Sequence, residues 1–167
     1  TALVPLMVIL FEVPLLIREY GKEMVRNQID FHTLTAWVGG YALFAFLFTL
    51  IREIVKDMED FEGDRAYGRN TLPVVLGLKN TRIIVLALTG IAVVFIAVVL
   101  ALYLTDLMTL LYTILLLLAP LAFVVFRLLH ASSAEQYHRV SAWLKGIMLA
   151  GVGYSFLAYY IMTYTIH

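Results

Sequence analysis

Between Ile83 and Phe126 the chain carries one charged residue, Asp106, and this restricts the fold more than any other feature. A peptide group without a hydrogen-bond partner is expensive in hydrocarbon, so a run this apolar closes its own backbone bonds as helix. About 18 near-uncharged residues already mark a membrane span, and Ile83–Leu104 and Leu107–Phe126 both qualify. Three more apolar segments, Thr1–Ile17, Leu34–Ile51 and Ile147–Ile166, are long enough or nearly so. The first holds Glu12, Pro5 and Pro14 and is the least regular. Hydrophobic residues make up 62% and charged ones 14%, against roughly 45–50% and 25% in soluble domains. The expected fold is an all-α membrane protein of about five transmembrane helices, forming a single membrane domain over residues 1–167. The chain is apolar from Leu3, with no basic flank and no cleavage site. It therefore does not open on a signal peptide, and the domain is expected to be incomplete at its N-terminus.

Five alternating spans put Arg52–Arg82 and Arg127–Lys145 on one side. Nine Lys and Arg lie there, and only Arg18, Lys22 and Arg26 lie opposite. The positive-inside bias then makes the Arg52–Arg82 side cytoplasmic, in an inner or cytoplasmic membrane. Zero net charge gives no basis for a nucleic-acid partner, and no cysteine is present for disulfides, thiolate chemistry or zinc–sulfur sites. His32, His130, His138 and His167 fall at segment ends without ligand spacing and read as surface or interfacial residues.

One stretch is unlike the rest: Arg52-Glu-Ile-Val-Lys-Asp-Met-Glu-Asp-Phe-Glu-Gly-Asp-Arg65. No Gly or Pro separates it from the second span, so the helix is expected to run past Ile51, and Gly63 would let it end or loosen near Asp64. At about 100° per residue, Glu53, Asp57, Asp60 and Asp64 share one face. Like charges so placed repel, which makes sense if a cation sits among them. Hard oxygen ligands suit magnesium, which takes one or two carboxylates with water and phosphate oxygens. Arg52 and Lys56 would complete a diphosphate site. The plainer alternative is a solvated acidic–basic helix end at the membrane surface. Downstream, Gly68 and Gly77 permit turns and Pro73 opens a short helix, with Arg69 and Asn70 either reaching the phosphate or anchoring the loop.

At these residues the chain resembles the UbiA superfamily of intramembrane prenyltransferases. The likeness is carried by Arg52-Glu53, by Lys56-Asp57-Met-Glu-Asp60-Phe-Glu-Gly63-Asp64-Arg65, by Gly68-Arg69 and by Thr71-Leu-Pro73-Val-Val-Leu-Gly77. They correspond to the family's second aspartate-rich motif. The resemblance implies helices five to nine of a nine-helix bundle around a cavity. It implies transfer of a prenyl chain from an isoprenyl diphosphate to a lipophilic or aromatic acceptor, with membrane lipid around it. Asp57, Asp60 and Asp64 would be the catalytic, Mg2+-binding residues, and Arg52, Lys56, Arg65 and Arg69 would bind substrate. The wording is closest to geranylgeranyl transfer onto geranylgeranylglycerol phosphate, while the quinone, haem and chlorophyll branches share its core. From a different class, a non-catalytic membrane subunit or a divalent-cation transport module stays open. Transporter sites favour broken helices at the midplane, whereas these carboxylates sit at a mouth.

The family's first motif, N-x-x-x-D or N-D-x-x-D-x-x-x-D, does not occur in these residues. A missing N-terminal half, in the same or another chain, is expected to supply it. The 167-residue chain alone, given magnesium, an allylic diphosphate and an acceptor, is therefore expected to show no turnover above background. Sustained metal-dependent transfer in a radiolabel assay would refute this.

Overall fold

The structure, a computed structural model, describes Arg18, residues 31–103 and residues 106–164. The regular elements are all helical: α1 (Phe31–Glu59), α2 (Phe61–Ala66), α3 (Leu72–Leu76), α4 (Leu78–Tyr103), α5 (Leu107–Tyr112), a π-helical stretch (Thr113–Leu118), α6 (Ala119–His130) and α7 (Ala134–Tyr164). The chain divides into two compact units, Thr1–Thr49 and Leu50–His167, and the boundary falls within α1.

Four stretches are long and apolar enough to cross a membrane: Ala36–Glu59, Leu78–Leu102, Leu107–His130 and Ala134–Leu157. The chain is an all-α membrane protein, and these are the last four of the five expected spans. The expected first span, Thr1–Ile17, lies outside the described residues.

The largest departure from expectation is the start of α7. The polar connection expected over Arg127–Lys145 shrinks to the few residues between His130 and Ala134. On α7, Tyr137, Val140, Ser141, Leu144 and Ile147 are buried while Arg139, Trp143 and Lys145 are exposed. That spacing is one stripe of a helix, so the charges that read as a loop form its outer face. The π-helical stretch has a local cause. Pro120 has no N–H to offer Leu116 and its ring crowds that carbonyl, and the helix widens just before it.

In the larger unit, Arg82 near the start of α4 donates from Nη1 to the Leu129 carbonyl at 3.1 Å. Its Nη2 donates to the Ala131 carbonyl and, at 3.0 Å, to the Tyr137 hydroxyl, which itself donates to Ala131 at 3.2 Å. Tyr137 is almost wholly buried. One guanidinium thus ties the start of α4 to the end of α6 and the start of α7. The α4 span and the α5–α6 span therefore run antiparallel, the start of the first lying beside the end of the second.

At the other turn, Asp106 has an extended backbone (φ −77°, ψ 146°) and accepts from the Thr109 N–H at 2.8 Å, capping α5. Burial works against its charge, but the hydrogen bonds from Thr109 outweigh it and hold the carboxyl below the usual range. Its contribution is therefore full above the unfolded carboxylate pKa, near 4, and is lost as pH falls through the lower folded value. Asp106→Ala should cost about 1 kcal/mol and Asp106→Asn, an equally good cap, much less. In acid, thermal melts of the Asn variant in detergent should lose the part of the pH response that Asp106 supplies.

Candidate functional site

The acidic stretch is built by the end of α1. Ile51, Ile54, Val55 and Met58 are buried along one stripe, which turns Glu53 and Asp57 toward another face. The helix does continue past Ile51, as expected, but its end differs. It breaks at Asp60 (φ −87°, ψ 7°), then resumes as α2 to Ala66. Asp is a poor helix former, and here it stands among like charges, so the regular helix gives way at this point. The Asp60 N–H still reaches the Lys56 carbonyl at 3.0 Å and the Asp64 N–H reaches Asp60 at 2.9 Å, so helical spacing carries across the bend. The stop comes at Gly68, not Gly63: its φ of +67° is the left-handed conformation that glycine adopts without strain. Beyond it, α3 opens with Pro73 near its start and ends at Gly77 (φ 81°), as the sequence suggests.

Asp60 and Asp64 line an open hollow of about 340 Å³ with Glu59, Gly63, Tyr67 and Arg69. Asp64 is buried. Arg69 folds back over it, with Nη1 3.4 Å from Oδ1 and its backbone N–H 2.9 Å from the Asp64 carbonyl. Asp57 is half-buried and does not line the hollow, although Asp64, Glu53, Asp60 and Lys56 all act on it electrostatically. Arg52 pairs with its neighbour Glu53, and Lys56 and Arg65 are exposed. Of the expected site residues, then, the fold gathers Asp60, Asp64 and Arg69, keeps Asp57 and Lys56 alongside, and turns Arg52 to Glu53.

Two lining residues were not singled out from the sequence. Tyr67 is 86% exposed beside the carboxylates. Glu59 meets His138 of α7, Nδ1 standing 2.8 Å from Oε1. Charge and spacing could have suggested Glu59, but nothing local predicts a partner 79 positions away.

The donor set is all oxygen, which suits a hard divalent cation. Among the described residues no three His, Cys, Asp or Glu side chains form a group able to hold a metal by themselves. Magnesium does not need such a cage, since it takes one or two carboxylates and fills its shell with water and phosphate oxygens. Asp60 and Asp64 in an open hollow fit that role, and a closed all-protein site they do not.

The model of the UbiA prenyltransferase family matches residues 20–147. The chain belongs to this family. Two relatives named digeranylgeranylglyceryl phosphate synthase illustrate the likeness. The one from Methanosphaera stadtmanae is 33% identical over 115 residues, covering 67% of this chain and 41% of the relative. The one from Methanobrevibacter smithii is 36% identical over 126 residues, covering 75% and 42%. A third so named, from Pyrococcus furiosus, is 52% identical over 48 residues, 28% of this chain and 17% of the relative. This UbiA-family chain thus spans about two-fifths of the length of the first two relatives. No solved structure matches it.

The two site glycines should behave differently. Gly68 has open space around it, but an alanine there must hold a positive φ, at a cost of roughly 1–2 kcal/mol. Gly63 is helical with nothing near its Cβ position, so alanine should be neutral or slightly stabilising. Melting temperatures of Gly68→Ala and Gly63→Ala in detergent check the contrast.

Proposed function

We propose that this chain forms part of an intramembrane enzyme that moves a prenyl chain from an allylic diphosphate to a lipophilic acceptor, with Mg2+. The reading rests on one observation above all. Asp60 and buried Asp64 share a hollow with Arg69 at the end of a membrane-length helix. Carboxylates alone would repel a diphosphate, and basic residues alone would need no ladder of acids. Together they suit a metal–diphosphate, which presents both kinds of charge.

In this reading Asp60 and Asp64 would hold magnesium, with Asp57 behind them adding negative charge. When bound, the metal neutralises the diphosphate oxygens as a Lewis acid. Arg69 and Arg65, with Lys56 and Arg52 behind them, donate to the phosphate oxygens and stabilise the charge that grows as the allylic carbon–oxygen bond breaks. The 3.4 Å contact to Asp64 is loose enough for Arg69 to exchange it for a phosphate. Apolar helices below the mouth keep water from the allylic cation; the acceptor hydroxyl oxygen bonds to it and gives up its proton to the departing diphosphate. A second acidic cluster, from the same or another chain, completes the site. The acceptor we favour is geranylgeranylglycerol phosphate with a geranylgeranyl donor, supported by the names of the relatives. The hollow faces the cytoplasm, where the positive-inside bias puts the Arg52–Arg82 segment.

In the full-length gene product, Asp60→Asn should lower magnesium-dependent prenyl transfer about 100-fold or more, and Arg69→Ala should raise the KM for the diphosphate about tenfold. Transfer unchanged by Asp60→Asn, or divalent-ion flux through vesicles that this substitution abolishes, would replace the reading with that of a transport module.

A further inference from the structure

We infer that His138, on the last helix, is a positioning residue for the acidic mouth: it holds Glu59, and through it the bend that aims Asp60 into the hollow. The inference rests on the proposed use of that hollow for a metal–diphosphate. Glu59 is the last residue of α1, and Asp60, in non-helical conformation, follows directly. Helix ends tend to fray, and the like charges of Asp57, Glu59 and Asp60 crowd this one. Glu59 Oε1, on the lining of the hollow, accepts from His138 Nδ1 at 2.8 Å. A bond between residues 79 positions apart fixes the end of α1 from outside its own helix.

The anchor from which His138 reaches is itself fixed. Its neighbour Tyr137 is buried and bonded to Arg82 at 3.0 Å. Two residues before His138, the Gln136 side chain accepts from the Ser132 N–H at 2.6 Å and the Ser133 N–H at 3.3 Å. The start of α7 thus serves as a fixed post, and His138 is the arm from that post to the site. A role in stability alone is a poor account. The His138 side chain is 67% exposed, and exposed pairs of this kind contribute little to stability. A residue that orients groups around a metal can instead be worth about 10–100-fold in affinity.

The test uses the full-length gene product in lipid vesicles. His138→Ala should raise both the KM for an allylic diphosphate and the magnesium concentration for half-maximal rate about tenfold, with the melting temperature unchanged. His138→Asn, which keeps an N–H near the position of Nδ1, should recover most of this. Arg139→Ala, one residue along and paired with Glu135 at 2.5 Å, should change neither quantity. Unchanged KM and magnesium dependence in His138→Ala would overturn the inference. So would a loss that follows the melting temperature and is not rescued by Asn. Calorimetric titration with magnesium and inorganic pyrophosphate separates this from the reaction itself. Weakened binding in His138→Ala, with no prenyl transfer even by the unaltered protein, would sink the proposed reaction and keep the positioning role. Unchanged binding would sink the role whatever the turnover.

Discussion

Hydrocarbon gives the backbone no hydrogen-bond partners, and the rest of the structure follows from that constraint. Each long apolar run must close its own amide bonds as helix, so bends, turns and charged side chains are pushed to the ends of the spans. The acidic bend, the α2–α3 segment and the short link before α7 are all such ends, joined in the larger unit by side chains. Arg82 satisfies carbonyls of α6 and of the link and meets Tyr137. Its two terminal nitrogens share three acceptors across these elements, more than a single surface ion pair offers. The same residue that closes these helix ends also steadies the base from which His138 reaches Glu59.

Charge at the mouth works against stability and for function. Two unit charges 4 Å apart interact by about 1 kcal/mol in water and about 4 kcal/mol at the effective dielectric of a protein surface. Several carboxylates along one helix end therefore carry a cost that a folding argument does not explain. Among the described residues, Asp64 alone of these aspartates has an arginine at its side, and that contact is long. The unbalanced remainder is what gives such a site affinity for a cation brought in with its own phosphate oxygens.

The sequence makes some of this legible and hides the rest for identifiable reasons. Apolar length alone locates four described spans, because membrane thickness sets a simple requirement. It fails at the start of α7, where Arg139 and Lys145 lower the average hydropathy although Tyr137, Val140, Leu144 and Ile147 keep a helical stripe. The acids, Arg69 and the turns at Gly68 and Gly77 are legible because their chemistry is local. The partners of Arg82 and Glu59 are not, since they come from residues 47 to 79 positions away, and only tertiary packing selects them. Family resemblance supplies the reaction class but carries no record of these cross-helix bonds.

The break at Asp60 also changes what the spacing of the aspartates means. On one unbroken helix, Asp57, Asp60 and Asp64 would be a ladder along a single face, each rung equivalent. Asp60 leaves the regular helical conformation, while the bonds from Asp60 to Lys56 and from Asp64 to Asp60 keep the helical spacing. Asp60 and Asp64 then line the hollow together, and Asp57 stands behind them within electrostatic reach. A three-residue ladder becomes a pair with a supporting charge, which is the number of carboxylates magnesium prefers when phosphate fills the rest of its shell. Spacing that looks like helix periodicity is thus better understood as a bend held in phase, with the acids divided between two tasks.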